Sequence, residues 1–260
     1  AGAVPVRIDT TRPVTEVGPR YLSVGLDFAQ VAGGEFWDPT GGVDPGAVEG
    51  GSAIVAPYEF DRRELRDRVA PLAPFLLRLG GTESDQLVYE AAGQQPGPGE
   101  TLLTDEQWDD AMAFASAVDA DVLVTLSATH RTAAGTWDPA PARALIRRSV
   151  AAGDPVVGWA LGNEPNYFTV NYGGPTPEQL VADYEALAGV VHELDPDALV
   201  LGPSTAYWPT QGEMVPALQP FLAGAGGSVD VVTWHYYPQQ SERCAVAQRP
   251  ASAENALTAD

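Results

Sequence analysis

A chain of 260 residues, 45% of them hydrophobic and with no long uninterrupted apolar run, can bury one substantial core and offers no membrane span. Its 35 acids stand against 14 bases, every one of them Arg, and the formal charge of -21 repels phosphate backbones, which argues against a nucleic-acid partner. The single cysteine, Cys244, excludes an internal disulfide framework and a Cys-rich zinc site, leaving only a pairing with a thiol beyond this chain.

The opening Ala1-Gly2-Ala3 holds neither a methionine nor an apolar signal core, so the expectation is a trimmed, secreted or periplasmic product, with the cytoplasm as the alternative. Residues 4–9 read as a strand that pairs outside the main sheet, and residues 1–15 are set apart on that ground. From residue 16 onward, strand-like apolar runs alternate with helix-like periodic runs, the pattern of βα units around a parallel sheet. Strands are predicted over 21–28, 74–79, 121–127, 156–161, 199–202 and 229–235, and helices over 62–70, 105–118, 141–152, 177–194 and 214–223. Thr104 and Thr176 are the expected N-caps, each followed by acids in the first helical turn. The Gly- and Pro-rich stretch 32–57 reads as a loop inserted after the first strand, where a barrel enzyme places substrate-shaping elements. Six strands are visible, whereas a closed (β/α)8 barrel needs eight. The expected fold is therefore α/β, with residues 16–260 forming the first six βα units of a (β/α)8 TIM barrel. An open six-stranded sheet leaves an edge and part of its inner face bare, so a C-terminal segment or a second chain is expected to complete it.

The densest chemical signal is Trp159-Ala160-Leu161-Gly162-Asn163-Glu164-Pro165-Asn166, where an apolar run stops abruptly on an amide, a carboxylate and a proline. Strand ends on one face of a (β/α) barrel build the active site, so a strand ending in Asn-Glu delivers a carboxylate to that rim. Asn163 can hydrogen-bond a sugar hydroxyl, and Pro165 turns the chain out of the strand. The plainer alternative makes Asn163 a cap and Glu164 a solvated loop acid. No phosphate loop, His-Glu-x-x-His zinc site or Ser-His-Asp arrangement is recognisable, so neither a cofactor nor a metal is expected.

Four segments together resemble one family: Ser23-Val24-Gly25-Leu26-Asp27, Leu77-Arg78-Leu79-Gly80-Gly81-Thr82-Glu83-Ser84-Asp85, Trp159 to Asn166, and Val232-Thr233-Trp234-His235-Tyr236-Tyr237. With a fifth, Leu126-Ser127-Ala128-Thr129-His130-Arg131-Thr132-Ala133 ahead of Trp137, they are similar to the strand ends of glycoside hydrolase family 79, the heparanase and β-glucuronidase family. The Asn-Glu-Pro segment is common to many related barrel glycosidases, and the Arg-x-Gly-Gly-Thr segment is the more discriminating. The resemblance implies a (β/α)8 barrel plus a β-sandwich built mainly from the C-terminus, which the strand within residues 1–15 would join. It also implies retaining hydrolysis of a β-glucuronide by two glutamates. Glu164 matches the acid/base, and the nucleophile would lie after a seventh strand, beyond residue 260. Retaining enzymes hold the two carboxyl groups about 5–5.5 Å apart, so a C-terminal fragment of the same precursor is the expected partner, beside a glucuronic-acid-containing saccharide as substrate.

Further roles follow from the same resemblance. Asp27 would bind sugar-ring hydroxyls, its alternative being to cap the following turn. Asn163 would contact the hydroxyl beside the reacting carbon. Gly81 and Thr82 would bring backbone close to the sugar, or simply end a strand. His235, Tyr236 and Tyr237 lie where barrel glycosidases keep an imidazole or phenol near the nucleophile, with aromatic packing as the alternative. His130 and Arg131 are candidates for a neighbouring subsite, and His192, beside Glu193, reads as a solvated helix face. One departure concerns charge: Glu83 follows Gly80-Gly81-Thr82, and the chain has no Lys at all. An acidic rim repels sulfated polyanions, which favours a β-glucuronidase on shorter or less charged glycosides over a heparanase-like endo-β-glucuronidase. Two rivals stand beside this reading: a xylosidase or arabinofuranosidase sharing Asn163 and Glu164, and a non-catalytic sugar-binding remnant.

Overall fold

The computed structural model describes residues 5, 7–37, 52–168, 173–208, 212–213, 215–240, 249–250, 252 and 254. In chain order the elements are β1 (Ser23–Asp27), α1 (Ala29–Ala32), β2 (Gly34–Trp37), β3 (Ser52–Val55), α2 (Arg63–Val69), β4 (Phe75–Gly80), β5 (Leu87–Tyr89), β6 (Thr101–Leu103), α3 (Asp105–Ala117), β7 (Ala120–Leu126), α4 (Ala140–Ala152), β8 (Val156–Leu161), α5 (Pro177–Leu194), β9 (Leu199–Tyr207), α6 (Leu218–Ala225) and β10 (Val231–Tyr236). Strands β1, β4, β7, β8, β9 and β10 pair in that order as one parallel sheet, and they correspond to the six predicted strands. Neighbours in the sheet follow one another along the chain, which is how (β/α) barrels are wound.

Alternation along the strands sorts the two faces. On β4, Phe75, Leu77 and Leu79 are buried in the main core, while Arg78 points to the concave face. There it lines a cavity of about 220 Å³ with Leu123, Thr125, Ala160, Leu201 and His235. On the convex side the helices close the core over Trp108 and Trp159, whose rings stack with centroids 6.4 Å apart. Burying an indole N–H demands an acceptor, and Asp154 and Asp195 supply them at 2.9 and 3.3 Å. Helix α3 begins where Thr104 Oγ1 accepts from the Gln107 N–H and Gln107 Oε1 accepts from the Thr104 N–H. Thr176 and Gln179 repeat the reciprocal pair at the start of α5. Each such cap contributes about 1 kcal/mol, so both expected N-caps fix where their helices start.

Four stretches differ from expectation. The 32–57 segment carries an antiparallel ribbon, β2 against β3, where a loop was expected; residues 38–51 within it lie outside the described residues. A short parallel pair, β5 with β6, precedes α3. Strand β9 runs on to Tyr207 instead of stopping at Gly202. Pro203 has no N–H to give a ladder, but the register with β10 shifts between Thr233 and Trp234, beside Ser204 at φ 58°, and that bulge absorbs the proline. Helix α6 starts at Leu218, later than the predicted 214.

Of residues 1–15, Pro5 and residues 7–9 are exposed and belong to no helix or strand, while Val4, Val6 and also Cys244 lie outside the described residues. Among the described residues, no strand pairs with the outer edge of β1 or of β10, and β10 exposes Val231, Val232, Trp234 and Tyr236. Likewise, among them no helix is long and apolar enough to cross a membrane, and no group of three His, Cys, Asp or Glu is placed to hold a metal ion.

Candidate active site

The chain leaves β8 through Gly162, at φ 75°, whose N–H still donates to the Leu126 carbonyl at 2.9 Å. A side chain at 162 would meet Phe168 at 2.9 Å and Ala128 at 3.0 Å, so glycine is required on conformational and steric grounds alike. Two residues on, Glu164 adopts φ 54°, ψ 55°, left-handed backbone that is uncommon without glycine. Its N–H donates to the carbonyl of Ser204, which is itself left-handed. Asn166 pins the following turn to β9 by a reciprocal pair with the Ala206 backbone, both bonds at 2.8 Å. Backbone strain of this kind collects at functional sites, where the surroundings must over-determine it.

The Glu164 carboxylate, with 19% of its side chain exposed, is reached from β10. His235 Nδ1 lies 2.8 Å from Oε1, and the Tyr237 phenol donates to the same oxygen. Behind Tyr237, the Trp208 ring stacks at 5.1 Å and 18°, and Trp208 is only 6% exposed, so the phenol is backed by a wall and not by solvent. Burial, followed by the Glu164 charge and hydrogen bond, pushes the Tyr237 pKa up, which keeps the phenol a donor. On the other side, Arg78 Nη2 donates to Asn163 Oδ1 at 2.9 Å. Burial pulls the Arg78 pKa down, opposed by the charges of Asp27, Glu164, Tyr237 and Asp85. The Asp27 carboxyl is raised, first by burial and then by Glu164, while Arg78 and His235 oppose the rise.

Beneath these groups sits Asp85, 3% exposed, on the 3-10 turn Thr82–Gln86 that follows β4. Its Oδ1 accepts from the Ala128 N–H at 2.9 Å and its Oδ2 from the Asn163 N–H at 2.8 Å. Burial pushes this carboxyl up to about 7, against the two backbone N–H groups, Arg131 and Arg78.

Six of the residues singled out in the sequence therefore converge: Asp27, Gly81, Asn163, Glu164, His235 and Tyr237. Gly81, at φ 87°, has no room for a Cβ beside the Asp27 carboxylate, and Thr82 opens the turn next to it. His235 and Tyr237, expected to flank a nucleophile, grip Glu164 in this chain. Tyr236 alternates to the other face, 51% exposed and stacked on Tyr207, in a groove of about 480 Å³ with Trp234, Leu218 and Leu222. His130 is half-buried with its ring edge-on to Tyr89, and burial lowers its pKa. Arg131 forms a two-point pair with the buried Asp183 of α5, at 2.8 and 2.6 Å, and so ties its loop to that helix. His192 is exposed on α5. Sequence reasoning assigned no role to Arg78 or Asp85, although a lone arginine at an inward position of an apolar strand marks the first. A concavity of about 790 Å³ between α3 and α4 holds none of these groups.

Known proteins resemble this chain in fold and in sequence. Solved structures of a family 51 α-L-arabinofuranosidase from Bifidobacterium longum and of a β-xylosidase from Caulobacter crescentus CB15 superpose with TM-scores of 0.53 and 0.52, at 15% and 18% identity. They cover 85% and 86% of this chain and 45% and 44% of their own, and they show the fold. Among curated sequences, the baicalin-β-D-glucuronidase of Scutellaria baicalensis is 24% identical over 232 residues, 75% of this chain and 42% of that protein. Mouse heparanase is 23% identical over 280 residues, 88% of this chain and 48% of its own length. Human inactive heparanase-2 is 27% identical over 140 residues, 52% of this chain and 23% of that protein, so kinship alone does not establish activity. This chain spans less than half the length of each of these three relatives. The model of the glycosyl hydrolase family 79 N-terminal domain matches residues 4–242, nearly the whole chain, which therefore belongs to glycosyl hydrolase family 79.

Proposed function

We propose that this chain supplies the acid/base half of a retaining β-glucuronidase, with Glu164 as the acid/base and a downstream segment of the same precursor supplying the nucleophile. The observation that carries the reading is the clamp on Glu164 Oε1 by Tyr237 and His235, beside an Asn163 itself held by Arg78. With Oε1 occupied as an acceptor, the catalytic proton rides on Oε2. As the nucleophile attacks the anomeric carbon, Oε2 gives that proton to the departing glycosidic oxygen. The resulting carboxylate then takes a proton from the water that hydrolyses the glycosyl–enzyme bond. Asn163 holds the hydroxyl beside the reacting carbon and Asp27 the ring hydroxyls, both at strand ends on the same rim. The acidic surface and the absence of Lys support a short or lightly charged glucuronide as substrate.

The test uses the full-length gene product with chromogenic glucuronides and xylosides. Turnover of the glucuronide is expected, and Glu164→Gln should lower it by roughly 10²–10⁴-fold for poor leaving groups and far less for aglycones that depart unprotonated. Preference for the xyloside would transfer the chain to the xylosidase or arabinofuranosidase reading. No turnover of either would favour a sugar-binding remnant.

A further inference from the structure

We propose that Asp85 is a positioning residue that staples the ends of two neighbouring strands and, through the Asn163 backbone, sets the place of Asn163 and Glu164. The kinetic arm of this inference rests on the function proposed above; the structural arm does not. The case is geometric. One side chain accepts from backbone N–H groups two residues past the ends of both β7 and β8, at Ala128 and Asn163, using both of its oxygens. Its own carbonyl accepts from Thr129 Oγ1 at 2.7 Å, so main chain and side chain grip the same strand end. Each of these donors is buried or half-buried, and an unpaired buried N–H is costly, so no other arrangement of the rim is cheap once Asp85 is in place. Asn163 is then held twice, by its N–H on Asp85 and by its amide oxygen on Arg78. Glu164 follows directly, in left-handed backbone that such anchoring must sustain.

Asn is nearly isosteric with Asp but offers a single acceptor oxygen, so Asp85→Asn sets an NH2 donor against one of the two backbone N–H donors. Hydrogen exchange on the wild type and on Asp85→Asn should show the Ala128 or Asn163 amide exchanging at least about 10-fold faster in the variant, at matched global stability. In the full-length enzyme kcat should fall by about 10-fold or more with KM within about twofold. In an Asn163→Ala background the same substitution should cost less than in the wild type, because the share of the loss that acts through the Asn163 side chain is already gone while the share that acts through Glu164 remains. Should Asp85→Asn fail to melt cooperatively, Asp85→Ser is measured in its place, since its hydroxyl keeps an acceptor without the opposed amide. Unchanged exchange at both amides would overturn the staple whether or not the protein proves to be an enzyme. Altered exchange with fully additive kinetic losses would overturn the positioning role. If the wild type turns over no glycoside, the functional proposal fails alone, and the exchange result still decides whether Asp85 holds the rim.

Discussion

Replacing Gly81 with Ala attacks the closest approach in the site. Gly81 sits at φ 87°, ψ 173°, a region that is essentially glycine-only and that costs another residue about 1–3 kcal/mol. The new Cβ would overlap Asp27 Oδ1 and lie 2.7 Å from Asp27 Cγ. Carbon atoms pack at about 3.5–4.0 Å, so the carboxyl carbon must retreat by roughly 1 Å. Backbone retreat is barred, because Asp27 pairs with Gly80 across the β1–β4 ladder and its N–H donates to Gln30 Oε1 at 2.8 Å. The side chain must rotate instead, which carries its charge away from Arg78. Strain and displacement together give about 2–3 kcal/mol, or a fall in Tm of about 4–12 °C for a chain of this size. Thermal melts of the wild type, Gly81→Ala, Asp27→Ala and the double variant test this. In the Asp27→Ala background the overlap with the carboxylate is gone, leaving the backbone strain and a 3.0 Å approach to the Cβ of residue 27, so Gly81→Ala should cost about 1 kcal/mol less there. A Tm within about 1 °C of wild type, or an equal cost in both backgrounds, would refute the reasoning.

Tyr237→Phe removes the phenol that donates to Glu164 and leaves the ring stacked on Trp208. Turnover should fall roughly 10-fold, the worth of one hydrogen bond to a charged group, while Tm stays within about 2 °C; unaltered kcat would make the phenol a bystander. Asp27 titrates above its unfolded value because burial opposes its charge, so the folded chain holds this proton more tightly than the unfolded one. The contribution to stability is complete below about pH 3.9 and is lost as pH rises through the folded value. Asp27→Asn cannot ionise, and its Tm should therefore exceed wild type at pH 7 by a margin that shrinks toward pH 3.5, even as turnover declines. A margin independent of pH would remove the charge of Asp27 as its cause.

The parallel sheet was legible because its signal is local and repeated. Buried strands such as 156–161 are short apolar runs, and helices such as 177–194 announce themselves by a capping threonine and sustained periodicity. Strand β9 was cut short because Pro203 normally ends a ladder, and only the partner strand reveals the bulge that tolerates it. The ribbon of β2 and β3 hid in a Gly- and Pro-rich stretch, since a two-stranded pair needs few apolar residues to form on a scaffold. In the site, Glu164, Asn163 and Asp27 could be found because each ends a strand. The orientation of Tyr236 could not be read from its neighbours: a one-residue slip flips a strand side chain to the other face, and the register shift at Thr233/Trp234 lies just upstream. Asp85 escaped notice because its partners are backbone N–H groups 43 and 78 residues away, which leave no trace in residue type.

The arrangement also bears on where a second carboxylate could come from. Glu164 follows β8, but the groups that hold its oxygen come from the end of β10 and the residue after it, β10 being the last strand of the sheet among the described residues. The outer edge of β10 is unpaired there and carries exposed Val231, Val232 and Trp234, the composition of a strand surface meant to be covered. A strand docking on that edge would run about 4.8 Å away and finish beside His235 and Tyr237. Those two side chains already span the distance from β10 to the Glu164 carboxylate, so a glutamate at the end of the docked strand would face Glu164 across them. The proposed division of the reaction between two segments thus directs the search for the nucleophile to the strand that pairs with β10.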